Sequence, residues 1–443
     1  MITRRGQTRG YMAKNKSEQE NQYIYIVQSS LEPSKCKIGK TNDLDRRLKE
    51  YNNMTGKSKD NVYAYLFTCQ VKNMARIEAD MAKQFFNLRE EKSREIYFCN
   101  PHWFNVYVKF IKSHTLFVKE IFIKQDDKKQ IVRIIRKTTP TLKERGLTTK
   151  EILQKAQKVK NDEFFTRYED VEKELSMYPK RIWRNKVVFC NCDDAVGDDE
   201  ITTSPFALYF LENFKELGLK KLICTHFAGN VDLFNQGPRG YIFTKTGYSE
   251  IGTKEYPRKY NGSFDHPLSL KILNEDADIV CTNPPFSRAR DYWRIIIASR
   301  KKFIIISNIT NVKNQPYMSY FEEGKALPGY NSVNYFLNPK RELVSAAGHW
   351  YTNIPIKKRP KSRHLKIIPL KDIPAKYKRY DDSKMLIVDN GYIPSGYKKS
   401  FAVSVRSILN GLLEKGYKLV EHKEYVPYVN GERCFGRVLV KKV

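Results

Sequence analysis

Apolar residues along the chain recur in two rhythms, and the change of rhythm divides it. From about Gln22 to Pro101, short apolar runs at Tyr23 to Gln28 and Asn61 to Cys69 predict strands. Around them, Leu44 to Tyr51 and Ala75 to Leu88 carry apolar positions at helical spacing, so this stretch predicts a small α/β module. From about Ile111 to Lys160 the chain turns basic. Phe117 to Lys124 and Gln130 to Arg136 flank the turn sequence Asp126-Asp127-Lys128-Lys129, and Thr138 to Lys160 reads as turn and helix. We read residues 111–155 as a connector, with a hairpin of its own. From Asn161 onward, apolar runs at Val187 to Cys190, Lys221 to Thr225, Ile279 to Thr282 and Phe303 to Ser307 alternate with helix-like segments. That alternation predicts βαβ units and a parallel sheet, whose ligands sit at the carboxyl ends of the strands.

Length and charge extend this picture. A chain of 443 residues exceeds what one hydrophobic core serves, so two or more domains are expected. With 80 Lys and Arg against 49 Asp and Glu, the net charge of +31 favours a polyanionic partner, nucleic acid first. A basic soluble protein with no such partner is the alternative. No apolar run approaches the roughly 20 residues that cross a bilayer, and Met1 to Lys16 is basic and polar, without a signal-peptide core. The expectation is a cytoplasmic protein of bacterial, phage or viral context that does not enter a membrane, with residues 1–21 a basic disordered N-terminus. Among eight cysteines, Cys190-Asn191-Cys192 is the one close pair and lacks the spacing of a zinc site, so the thiols read as reduced and structural. The dense basic run Lys357 to His364 is either a solvated face or a strip for phosphates.

The candidate chemistry centres on Asn283-Pro284-Pro285-Phe286, which ends the apolar run Ala277 to Thr282. A carboxamide held at a strand end by two prolines suits an exocyclic amine, as in amino-group methyltransferases. There the Asn283 amide and the Pro284 carbonyl would accept hydrogen bonds while Phe286 holds an extruded base. A proline-stabilised loop is the plainer reading. Phe165 and Thr166, ahead of the first sheet strand, suit closure over the methionine end of S-adenosylmethionine, or else cap a helix. Asn191, Asp193 and Asp194 end the first strand of this half, where they could hold the cofactor's ammonium and ribose groups or form an Asp-rich turn. Asp265, 18 positions before Asn283, stands where a carboxylate would accept from the cofactor's adenine amine.

Together, the segment from Phe164 to Leu175, the Cys-Asn-Cys-Asp-Asp strand end, Leu217 to Ile223, Asn283 to Ser287 and Trp350-Tyr351-Thr352-Asn353 resemble the EcoRI-type adenine-specific DNA methyltransferases. The resemblance covers about Ala156 to the C-terminus. It implies N6 methylation of adenine in double-stranded DNA with S-adenosylmethionine, by positioning an amine in line with a sulfonium methyl rather than by a strong base. This chain departs from the family at Gly262-Ser263-Phe264-Asp265, where Gly-Asp-Phe is usual, and Thr225 ends a strand where related folds carry an acid. Target recognition is expected within residues 309–443, where Tyr317, Tyr320, Phe321, Tyr330, Tyr335, Phe336, Tyr377 and Tyr380 interleave with basic residues. Those aromatics could equally be core.

Ahead of it, Tyr23-Ile24-Tyr25, Lys37-Ile38-Gly39-Lys40-Thr41, Asp43 to Leu48 and Glu78 look like a GIY-YIG nuclease domain over residues 22–110, in the variant with Lys-Ile-Gly as second motif. That resemblance implies roles for Tyr25, Lys40 and Arg47 in phosphodiester hydrolysis and for Glu78 as ligand of Mg2+, with a lesser part for Asn100. Lys37 replaces a second tyrosine found in many members. The fold class expected is α/β: this small domain, then a Rossmann-like methyltransferase domain at 156–443 with a mixed, mostly parallel sheet. The functional expectation is a bifunctional DNA enzyme of restriction-modification type. The alternatives are a DNA-binding protein with one or both halves inactive, or a protein-glutamine methyltransferase, which also carries Asn-Pro-Pro before an aromatic residue.

Overall fold

The computed structural model describes residues 21–29, 32, 34–54, 62–121, 164–195, 203–227, 238–252, 260–308, 317–338, 342–356, 365–372, 379–381, 385–388, 392–409, 411–420, 428–433 and 437–443. The basic N-terminus to residue 20, the expected strand Gln130 to Arg136, Asn161 to Glu163, Tyr377 and the run Lys357 to His364 lie outside them. Two units divide the chain, Met1–Arg136 and Lys137–Val443.

Among the described residues the first unit holds five strands, β1 (Tyr23–Ser29), β2 (Lys35–Thr41), β3 (Tyr63–Val71), β4 (Ile96–Phe98) and β5 (Phe117–Glu120), in the order β4-β2-β1-β3-β5 and antiparallel throughout. Central β1 buries Ile24, Tyr25, Ile26 and Val27 completely, as a strand covered on both faces must. Three helices accompany it: α1 (Leu44–Met54), α2 (Met74–Gln84) and α3 (Pro101–Ser113). Asn100 caps α3 by accepting from Trp103 N at 2.8 Å, and Pro101 opens the helix, where its missing N–H costs nothing. The sheet continues past residue 110, where the sequence suggests a connector. β5 pairs with β3, Cys69 opposite Glu120 and Gln70 opposite Lys119. Its charged residues suit an edge strand, which is why its sequence blends into the basic stretch.

The second unit is built on an eight-stranded sheet among the described residues: β6 (Val187–Cys190), β7 (Lys221–Thr225), β8 (Gly240–Thr244), β9 (Tyr248–Ile251), β10 (Ile279–Thr282), β11 (Lys302–Asn308), β12 (Leu327–Leu337) and β13 (Leu343–Thr352), ordered β12-β13-β11-β10-β6-β7-β8-β9. The sheet is mixed, but not mostly parallel. Only β7-β6-β10-β11 run parallel, and every pairing outside them is antiparallel. Parallel neighbours need a crossover long enough for a helix, whereas β8 and β9 are joined by a short turn and β12 and β13 lie only five residues apart in sequence. The fully buried runs of β6 and β10 form the centre. Helices α4 (Tyr168–Leu175), α5 (Pro205–Glu212) and α6 (Ala289–Ser299) pack beside the sheet. Trp293 of α6 meets Phe303 and Tyr351 edge-on in the core. That core continues into the C-terminal strands through Val388, Phe401 and Val403. Of the aromatics interleaved with basic residues, Phe321, Phe336 and Tyr380 are buried and Tyr335 is 47% exposed.

Candidate active site

β6 and β10 lie side by side and their connections leave in opposite directions, so a crevice opens between their carboxyl ends. Asp193 ties the two ends together. Its buried carboxylate accepts from Ser204 Oγ at 2.6 Å, from Thr282 Oγ1 and from the Asn283 main-chain N–H. Thr282 Oγ1 in turn accepts from Cys192 N at 3.2 Å. Burial pushes the Asp193 carboxyl up to about 7, against these three donors. Asp193 thus holds the Asn283 turn, and it also lines the crevice.

The Asn283 carboxamide is fixed from one side only. Nδ2 donates to the Phe164 carbonyl at 2.5 Å, whereas Oδ1 is buried with no hydrogen-bond partner among the described residues. Thr166 Oγ1 and Asn191 Nδ2 are among the other buried atoms that share that condition. All three residues line one cavity of about 590 Å³, together with Phe165, Asp194, Ser204, His226, Phe227, Ser263, Phe264, Pro284 and Arg288. Unmet buried polar groups carry a cost that a ligand can relieve. Asn191 Oδ1 accepts from Tyr292 OH at 2.8 Å, which turns Nδ2 the other way. The Asp194 carboxylate stands 3.2 Å from His226 Nδ1. Carboxylate, amide, hydroxyl and aromatic groups around a space of this size fit S-adenosylmethionine, which combines an ammonium, a carboxylate, a ribose and a heteroaromatic ring.

Two expected residues are placed elsewhere. Asp265 does not line the cavity: its oxygens take Arg288 Nη2 at 2.7 Å and Ser263 Oγ. The Arg288 guanidinium beside it, which also lies over the Phe264 ring, holds the Asp265 carboxyl below its usual range. Phe286 packs against Phe164 and Phe336, with centroids 5.4 and 5.6 Å away, and is not among the residues lining this cavity. Sequence reasoning missed Ser204, His226, Phe227 and Arg288. Of these only Ser204 left a signal, as the residue before Pro205 at a helix start.

Residues 152–439 match the family described as "Adenine-specific methyltransferase EcoRI". Over 338 residues the chain is 30% identical to the type II methyltransferase M.EcoRI of Escherichia coli, covering 66% of this chain and 97% of that protein. The chain belongs to the EcoRI family of adenine-specific methyltransferases. It is also 35% identical to the type II methyltransferase M.MgeORF184P of Mycoplasma genitalium, over 45% of this chain and 64% of that protein. With M.MpnI of Mycoplasma pneumoniae it shares 32% identity, over 40% of this chain and 50% of that protein. Membership of this EcoRI family leaves the protein-glutamine alternative without support. No described helix is long and apolar enough to cross a membrane.

Ahead of the EcoRI-family region, residues 22–120 match the T5orf172 domain. Here β1, β2 and α1 bring Tyr25 and Arg47 together with Tyr51, which the sequence did not single out. Tyr25 OH lies 2.6 Å from Tyr51 OH and accepts from Arg47 Nε at 3.1 Å. Gly39 faces Tyr25 across the strand pair, and a Cβ there would sit 2.4 Å from the phenol oxygen. Burial pushes the Tyr25 phenol well above its ordinary value. Lys37 pairs with Glu95 at 2.9 Å and lies over the Tyr51 ring. Lys40 and Glu78 are paired with each other at 2.6 Å, and Asn100 is spent on capping α3. Among the described residues no three His, Cys, Asp or Glu side chains gather to hold a metal. Glu78, the expected Mg2+ ligand, is thus engaged by a cation.

Proposed function

We propose that the second unit methylates the N6 amine of adenine in double-stranded DNA with S-adenosylmethionine, as the modification activity of a restriction-modification system. The observation that carries this reading is the Asn283 carboxamide, anchored through Nδ2 and presenting a buried, unpartnered Oδ1 beside the cavity. Bound in that cavity, S-adenosylmethionine supplies an electrophilic methyl group. The chain's own residues do the rest. Adenine N6 is a poor nucleophile because its lone pair is delocalised into the ring. Acceptors at Asn283 Oδ1 and the Pro284 carbonyl draw its hydrogens out of the ring plane and favour the tetrahedral form. Thr166 and Asn191 hold the cofactor end, and Phe286 meets the extruded base. Alignment then supplies most of the acceleration. The net charge of +31 and the type II methyltransferases among its relatives support duplex DNA as substrate. Asn283→Ala is expected to lower kcat at least about 100-fold while calorimetry shows cofactor affinity retained. Wild-type kcat in that variant would sink the assignment, and absence of cofactor binding by the unaltered chain would favour an inactive DNA-binding protein.

For the first unit the finer reading is DNA phosphodiester cleavage by a GIY-YIG-type site, supported by the Tyr25, Tyr51 and Arg47 cluster. The Lys40 to Glu78 ion pair favours a second reading, a domain kept for DNA binding. Arg47→Ala separates them: strand breakage present in the wild type and lost in the variant, with methyl transfer kept, supports cleavage. Equal breakage in both removes it.

A further inference from the structure

One strand backs both ends of the Asn283 to Phe286 segment. Leu337, the last residue of β12, exchanges two main-chain hydrogen bonds with Phe165, N–H to O at 2.8 and 2.9 Å. The Phe164–Phe165 peptide unit therefore donates its N–H to Leu337 O and accepts, at its carbonyl, the Asn283 Nδ2–H. Hydrogen bonds chained through one peptide group polarise and orient one another. This chain decides which half of the carboxamide is tied down and which half, Oδ1, is left for a ligand.

The neighbouring residue acts on the aromatic end. Phe336 is fully buried and meets Phe286 at 5.6 Å between centroids with the rings 81° apart, while both rings contact Phe164. There is no slack behind it. A Cβ added at Gly348 of β13 would lie 2.7 Å from Phe336 Cζ, so only glycine leaves the ring where it is. Adjacent residues of a strand point to opposite sides. Here the side chain of Phe336 is used in one direction and the main chain of Leu337 along the sheet edge.

We propose that β12 is the positioning element of the methyl-transfer site. Leu337, through the Phe164–Phe165 peptide, sets the orientation of the Asn283 carboxamide, and Phe336 sets the plane of Phe286 against the target base. This rests on the function proposed above and adds two residues that neither belong to the Asn-Pro-Pro-Phe segment nor line the cavity.

The test uses the full chain and two variants, Phe336→Leu and Gly348→Ala. The duplex carries the site that the wild type methylates, and a second duplex has 2-aminopurine at the target adenine. Both variants are expected to bind cofactor and duplex as the wild type does, with kcat down about 10- to 100-fold and a weaker rise of 2-aminopurine fluorescence. A purely structural role would instead lower the unfolding midpoint and both affinities together, which overturns the proposal. So would full kcat and full fluorescence in either folded variant. If Phe336→Leu fails to fold, Gly348→Ala decides alone, because it keeps every existing side chain and presses chiefly on the Phe336 ring, with the Val333 carbonyl next at 3.2 Å. A wild-type chain that methylates no adenine overturns the functional reading and this proposal with it, whereas a methylating wild type with unaffected variants removes this proposal only.

Discussion

Asp193 illustrates how one buried carboxylate can tie together the elements around a site. It collects Ser204, Thr282 and the Asn283 N–H, and each is a donor that would otherwise be stranded beneath the cavity. Burial raises its carboxyl from 3.8 to about 7, so the folded chain holds this proton more tightly than the unfolded chain does. The stability it contributes is therefore complete in acid, below the unfolded value, and is lost as pH rises through about 7. The expected outcome is that Asp193→Asn gains in unfolding midpoint relative to the wild type between about pH 4 and about pH 7. A pH-independent difference in scanning calorimetry contradicts it. Sequence alone could not assign this role. A carboxylate at a strand end looks equally suited to a cofactor, and the hydroxyls that claim it come from Ser204 and Thr282, distant in the chain. Asn283 and Asn191 stood out in the sequence because each follows an apolar strand, and both line the cavity with Thr166. Asp265 was misplaced for the opposite reason: its spacing fitted, but Arg288 and Ser263, invisible as partners in the sequence, take its oxygens.

At the scale of elements, Glu174 does for α4 what Asp193 does for the strand ends. It is fully buried on α4 and accepts from Tyr330 N, from Asn331 N and Nδ2 at 2.9 Å each, and from Tyr178 OH at 3.1 Å. With the Phe165–Leu337 bridge at the other end, it fastens the segment beside Asn283 along β12. Gly329 makes room, since a Cβ there would lie 2.5 Å from Glu174 Oε1. Glu174→Ala should cost about 3 kcal/mol, read as a lower urea midpoint at unchanged slope, and a loss below about 0.5 kcal/mol would contradict the clamp. The strands β6, β7 and β10 match the apolar runs residue for residue, and β11 nearly so, because a doubly covered parallel strand is apolar throughout. The hairpins β8–β9 and β12–β13 were not legible. Their strands mix polar and apolar residues and are specified by pairing, as the irregular register of β12 on β13 shows.

For the whole molecule, the division into a small domain and a larger methyltransferase half was visible in the change of periodicity, and the family match over residues 152–439 falls on the larger half. The first unit differs in kind. Tyr25 and Arg47 meet there, while Lys40 and Glu78 pair with each other. The excess of 80 basic over 49 acidic residues is a property of the full chain and marks a polyanionic partner without saying which unit binds it. The proposed reaction is methyl transfer to adenine at Asn283. Its most direct test is nucleoside mass spectrometry of random-sequence duplex DNA after incubation with the full chain and S-adenosylmethionine. N6-methyl-2′-deoxyadenosine is expected from the wild type and none above background from Asn283→Ala. Methylation confined to cytosine, or N6-methyladenine formed equally by both proteins, would contradict it.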